Sequence, residues 1–156
     1  MKSLFALLLL LSPATLARAA INPVAPPTEL AFGIISTESA TGLRLGFEPF
    51  LEKLSARLGI KVRGFYASDY AGVIEAMRFG KVHLAWMGNA AAIQAIDRAG
   101  AEVFAQSTGP DGSTGYNAVI IVPATSPYAD VDALVAAGPQ LSFGNGDPLS
   151  TTGNLI

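Results

Sequence analysis

Between Leu30 and Gln106 the apolar residues of this 156-residue chain change period repeatedly, from unbroken runs to helical spacing and back. Leu30 to Ile35 is continuous except for Gly33, the pattern of a strand covered on both faces. Phe47, Phe50, Leu51, Leu54 and Leu58 then recur at helical spacing, and Gly59 closes that helix. Lys61 to Ala67 predicts a second strand. Ser68 or Asp69 caps a second helix, whose face is Tyr70, Val73, Ile74 and Met77 and which ends at Gly80. Val82 to Met87 predicts a third strand. It turns at Gly88-Asn89 into an alanine-rich helix carrying Ile93 and Ile96, and Glu102 to Gln106 predicts a short fourth strand. Such alternation admits few architectures: α/β, built from βαβ units around a mostly parallel sheet.

In sheets of this kind ligands bind at the C-terminal ends of the strands. The loops at Ser36–Ser39, Ser68–Tyr70, Met87–Asn89 and Asn145–Thr152 are therefore the candidates. Beyond Ser107 the rhythm changes. A turn-rich break over residues 108–115 precedes a long predicted strand, Tyr116 to Val122. A helix over Asp130 to Ala137 follows, with Val131, Leu134 and Val135 expected to face inward, and then a strand holding Leu141 and Phe143. Gly115–Val122 reads as a hinge from a first lobe (residues 20–115) into a second α/β lobe that is only begun (residues 116–156). A fragment of a two-lobed protein is the expectation.

The last loop carries the chemistry. In Phe143-Gly144-Asn145-Gly146-Asp147-Pro148-Leu149-Ser150-Thr151-Thr152-Gly153 an apolar strand enters a glycine-rich turn, and three hydroxyl residues stand where a helix would begin. First-turn N–H groups have no partner within a helix, and the macrodipole adds partial positive charge there. Ser150, Thr151 and Thr152 add side-chain donors on the same rim. Together they form a cradle for an oxyanion made of dipoles.

Composition narrows the partners. Lys2, the apolar run Leu4–Leu11 and Ala17-Arg18-Ala19 form a secretory leader, residues 1–19, with cleavage expected after Ala19. The chain has no Cys, so neither disulfides nor a lipid-bearing cysteine is expected, and a periplasmic address follows. Ten basic residues face 12 acidic ones, and no Lys or Arg follows Arg98. Nucleic acid needs a basic footprint, so it is excluded as a partner. His83 is the single histidine and sits in a strand-like run, which makes a structural role the expectation. No metal and no cofactor is called for.

The chain resembles the periplasmic substrate-binding proteins of phosphonate ABC transporters, within the wider phosphate, phosphite and phosphonate-binding group. The runs that carry the resemblance are Phe32-Gly33-Ile34-Ile35-Ser36-Thr37-Glu38-Ser39, Asp69-Tyr70-Ala71-Gly72, Met77-Arg78-Phe79, Ala85-Trp86, Gly88-Asn89, Val103-Phe104-Ala105-Gln106, Asp111-Gly112-Ser113, Gly115-Tyr116, Phe143-Gly144-Asn145-Gly146-Asp147-Pro148 and Ser150-Thr151-Thr152-Gly153. The resemblance implies a type II periplasmic-binding-protein fold, its first lobe nearly complete and its second only begun. It also implies that Tyr70, Tyr116, Ser150, Thr151 and Thr152 bind the oxygens of a phosphonate or related small oxyanion. The implied partner is a cognate ABC permease in the inner membrane. The chain departs from the family at Met87, where relatives can carry Tyr, at His83, where an acidic residue is common, at Thr152 in place of Ser, and in length.

Each position has a plainer reading as well. Tyr70 continues the apolar face of its helix, Tyr116 fits a strand aromatic, and the hydroxyl run fits an N-cap. Asn89 is expected to cap the third helix, Ser36–Glu38 to be a solvated turn, and Asp147 to stabilise its own turn. Two other functions compete with a solute receptor: an oxyanion-sensing domain of a membrane signalling protein, and a periplasmic phosphoesterase. The phosphoesterase would want a metal cluster or an activated nucleophile, and Ser150 has no evident base in the sequence.

Overall fold

The structure, a computed structural model, describes residues 27–154. The leader expected at 1–19 lies outside the described residues. Three strands, β1 (Glu29–Ile34), β2 (Lys61–Tyr66) and β3 (Leu84–Trp86), form one parallel sheet in the order β2-β1-β3. Phe32 of β1 stands opposite Gly64 on one side and Leu84 on the other. The sheet is joined by α1 (Ala40–Leu58) and α2 (Tyr70–Arg78), and α3 (Asn89–Ala99) follows β3. This is the α/β class with the parallel sheet that the apolar periodicity predicts.

Alternation along β1 sorts the core into two layers. Ile34 packs with Leu43 and Leu51 of α1 and with Val62. Ile35, its neighbour in sequence, packs on the other side with Tyr70, Val73 and Ile74 of α2 and with Ala91 and Ala95 of α3. The small alanines let α3 lie close to α2, while Ile93 and Ile96 stay largely exposed.

The element ends follow local chemistry. Ser39 Oγ accepts the Gly42 N–H at the start of α1, and Gly59 ends it in the left-handed conformation (φ +68°), which glycine adopts without a Cβ penalty. Ser55 Oγ then accepts the Val62 N–H at 2.9 Å and donates to the Leu51 carbonyl at 2.7 Å, tying α1 to β2. Of the two capping candidates for α2, Asp69 is the cap: its carboxylate accepts the Gly72 N–H at 2.7 Å.

The third strand is shorter than Val82–Met87. His83 explains why: its N–H donates to the Ala31 carbonyl, and its Nδ1 accepts the Ala31 N–H, both at 3.0 Å. A side chain thus stands in for the backbone ladder just before β3 begins. The structural role expected of this histidine is what the structure shows.

After Gly100 the expected strands are missing. Glu102–Gln106, Tyr116–Val122 and the run holding Leu141 and Phe143 contain no ladder pairing. Phe104 is 81% exposed and Ile121 87%. A strand is stabilised by its neighbours, and among the described residues these runs have none. Helix α4 (Val131–Ala136) does form, capped by Asp130. Val131, Leu134 and Val135 face one hollow, but they are not buried: Val131 and Val135 are exposed, and Leu134 is half-buried. The helix expected after the hydroxyl run is a series of turns over Thr151–Asn154. The break at 108–115 is turn-rich as expected. There the Asp111 carboxylate accepts the Ser113 N–H at 3.0 Å. Among the described residues no helix is long and apolar enough to cross a membrane.

Candidate functional site

The glycine-rich loop is a closed noose. Gly146 N–H donates to the Gly153 carbonyl at 2.6 Å, and Asn145 Nδ2 donates to Asn154 Oδ1 at 2.6 Å. A Cβ on Gly146 would come within 2.9 Å of the Gly153 Cα, so the neck closes only with glycine there. Inside the noose, Ser150 N–H donates to the Asp147 carbonyl, and Ser150 Oγ accepts the Gly153 N–H at 3.1 Å.

Two side chains of the noose reach across to helix N-termini. Thr151 Oγ1 accepts the Ala90 N–H at 3.0 Å, at the start of α3. Asp147 Oδ2 accepts the Tyr70 N–H at 3.0 Å, at the start of α2, while its Oδ1 accepts the Leu149 N–H at 2.8 Å. First-turn amides carry the positive end of the helix dipole, so hydroxyl and carboxylate oxygens are the natural groups to meet them. Neither helix has an acidic residue of its own in its first turn. Between Thr151 and Tyr116 lies Gly88: a Cβ placed there would sit 3.6 Å from Thr151 Oγ1 and 3.9 Å from the Tyr116 hydroxyl.

The five candidate residues therefore divide. Thr151 and Tyr116 bring their oxygens to Gly88 and the N-terminus of α3. Tyr70 is only 6% exposed and packs with Ala91 in the core beneath the same turn, flanked by Met87 and Leu149. It meets the loop through its backbone N–H. Ser150 and Thr152 are not brought to this point. The Ser150 hydroxyl is engaged within its own loop, and Thr152 lines a hollow of about 740 Å³ behind the noose, walled by Val119–Val122, Leu134 and Phe143.

Two further expectations change. Asn89 does not cap α3; the N-cap is Gly88, with no side-chain bond of its own, and Asn89 is the first helical residue. A glycine has no side chain to offer, and Thr151 supplies the missing acceptor from 61 positions downstream. Asp147 does stabilise its turn, as expected, but it also caps α2 across 77 positions. The carboxylate before Pro148 signals the local turn; nothing in the sequence signals the long-range partner. Ser36–Glu38 lies at the mouth of the sheet as a bend. No group of three or more His, Cys, Asp or Glu residues poised for a metal occurs among the described residues.

The profile of the family described as "ABC transporter, phosphonate, periplasmic substrate-binding protein" matches residues 32–156. The chain belongs to this family. It is 47% identical to the phosphonates-binding periplasmic protein of Escherichia coli K12, over 99% of this chain and 44% of that protein. A crystal structure of a binding protein component of an ABC phosphonate transporter from Pseudomonas aeruginosa superposes with a TM-score of 0.79 at 46% identity, covering 82% of this chain and 42% of that one. A shorter match, 37% identical over 62 residues, is to a phosphate-import protein of Mycolicibacterium smegmatis; it covers 40% of this chain and 19% of that protein. The chain thus spans less than half the length of these relatives. The periplasmic-binding-protein fold expected from the sequence is the fold of the Pseudomonas protein.

Proposed function

We propose that this chain supplies the anion-receiving side of a periplasmic solute-binding component of an ABC importer for phosphonate or a related phosphorus oxyanion. The observation that carries the reading is the convergence of the Thr151 and Tyr116 oxygens on Gly88, at the N-terminus of α3. Hydroxyl donors beside first-turn amides hold a phosphorus oxyanion without a lysine or arginine, and none follows Arg98 in this chain. On binding, the oxyanion displaces the Thr151 oxygen from the Ala90 N–H, takes that amide, and accepts the two hydroxyls. Tyr70, Ser150 and Thr152 complete the proposed set. Ser150 joins it when its bond to the Gly153 N–H opens, and Thr152 when its side chain turns from the hollow behind the noose. Closure of residues 116–154 onto the first α/β unit is stabilised because the ligand contacts both.

Two observations support a receptor rather than a hydrolase. The Ser150 hydroxyl accepts a backbone amide within its own loop, and the imidazole of His83 is committed to Ala31, at the sheet. A nucleophile and its base are thereby kept apart. The partner in this reading is the cognate permease of the inner membrane, and the compartment is the periplasm that the family's description and the Escherichia coli relative's name state.

Calorimetric titration of the intact gene product with 2-aminoethylphosphonate, methylphosphonate, phosphite, phosphate and sulfate tests the proposal. One-to-one binding of a phosphorus oxyanion at about micromolar Kd or tighter, with sulfate at least tenfold weaker, is the expected result. Replacing Thr151 by Val should weaken that binding by about tenfold or more, the effect of one lost charge-assisted hydrogen bond. Binding of sulfate as tight as that of every phosphorus anion, or no binding at all, would remove the reading.

A further inference from the structure

The carboxylate of Asp147 divides its work. Oδ1 serves the local turn through the Leu149 N–H, and Oδ2 leaves the loop to take the Tyr70 N–H. The second bond has a clear physical origin. Asp69, the cap of α2, spends its side chain on Gly72, so the first amide of the helix is left for an outside acceptor. An anionic oxygen at that place gains from the dipole as well as from the hydrogen bond.

We propose that Asp147 is the positioning residue that fastens the hydroxyl loop to the first α/β unit, acting through the Tyr70 N–H and not on the ligand. The inference rests on the binding role given above to Thr151 and Tyr116. Its lever is the stiffness of the noose. Pro148 fixes the backbone next to Asp147, and the neck at Gly146 and Gly153 is closed by a 2.6 Å hydrogen bond. Asp147 and Thr151 therefore move as one piece. Release of Asp147 from α2 leaves the loop held at one helix end where it had been held at two, so the Thr151 oxygen is less firmly placed at the start of α3, where the anion is received.

Two substitutions separate this role from that of the local turn. Asp147→Ser keeps a hydroxyl able to accept the Leu149 N–H, as serine does in such turns, but it is too short to reach Tyr70. Asp147→Asn has one acceptor oxygen for the Leu149 and Tyr70 amides together, so it is the intermediate case. In the unliganded intact protein, hydrogen exchange at the Tyr70 amide should be about tenfold faster in Asp147→Ser than in wild type, with the Ile74 amide unchanged as the control for the fold. Methylphosphonate binding should weaken by about tenfold in Asp147→Ser and by a smaller factor in Asp147→Asn. Equal Tyr70 exchange in wild type and Asp147→Ser overturns the proposal, and so does unchanged affinity. Failure of the wild type to bind any phosphorus oxyanion removes the binding reading instead, and the exchange measurement, made without ligand, still decides whether Asp147 holds the loop.

Discussion

From Glu29 to Gly100 every strand lies beside another strand, whereas from Ala101 to Asn154 no residue pairs in a ladder. Both stretches carry strongly apolar runs: Ile120-Ile121-Val122 is as apolar as Phe32-Gly33-Ile34-Ile35. They differ in what their runs can reach. β1 finds β2 and β3 through two short crossovers, so burial and hydrogen bonding arrive together. Every fully buried apolar side chain among the described residues lies between Ala31 and Ala95. Apart from the two bonds that dock the noose on α2 and α3, the second stretch retains what a chain can make within a few residues: the Asp130 cap, the turn at Asp111, and the closed noose. Apolar sequence is thus necessary for a strand and insufficient without a neighbour.

The most direct way to break this contrast is to make the same change in both stretches. Ile74 is 1% exposed in the core between α2 and the sheet, and Ile121 is 87% exposed. In the 156-residue chain, Ile74→Ala should cost about 2–5 kcal/mol by denaturant unfolding, for lost transfer and the cavity left behind. Ile121→Ala should stay within about 0.5 kcal/mol of wild type. A comparable loss at both positions would mean that the second stretch has a core of its own.

The same contrast explains what could be read in advance. The strands and helices up to Ala99 were legible because each is specified by a local period and a local cap. Asp69 and Gly59 end their helices by chemistry contained within a few residues. The strands at 102–106 and 116–122 were over-read because the apolar pattern is present and its partner is not. At the site, the hydroxyl loop was legible as a polar run after glycines. Its docking was not: Thr151 on Ala90 and Asp147 on Tyr70 are meetings of residues 61 and 77 positions apart. Asn89 misled for the same reason, since local capping statistics do not foresee a cap supplied from another part of the chain.

His83 sharpens the comparison at an intermediate scale. It extends the contact between β1 and β3 by a side-chain acceptor where the backbone ladder is only three residues long. His83→Ala leaves the Ala31 N–H without that acceptor and should lower stability by about 1 kcal/mol, read as a shift in the denaturant midpoint. No effect would show that water replaces the imidazole there and that the three-residue ladder suffices.

The smallest effect concerns two carboxylates, one in each stretch. Hydrogen bonding to Arg63, with Lys61 adding to it, holds the Glu29 carboxyl below its ordinary value of 4.5. Hydrogen bonds from the Ser113 hydroxyl and backbone hold Asp111 below its ordinary 3.8. Because the folded-state value is the lower one, Glu29 contributes stability above the unfolded value and loses it as pH falls through the lowered one. The pair joins β1 to β2 across 34 positions, so the unfolded chain cannot keep it. The Asp111 turn spans two positions and can persist when the rest of the chain unfolds. Its lowered value is then shared by both states, and linkage contributes nothing. The gap in melting temperature between wild type and Glu29→Gln should therefore be small at neutral pH, shrink below about pH 4.5, and shrink again in high salt. Asp111→Asn should track wild type at every pH. An acid-dependent gap larger for Asp111→Asn than for Glu29→Gln would show that the turn unfolds cooperatively with the sheet, and that the two stretches are one unit after all.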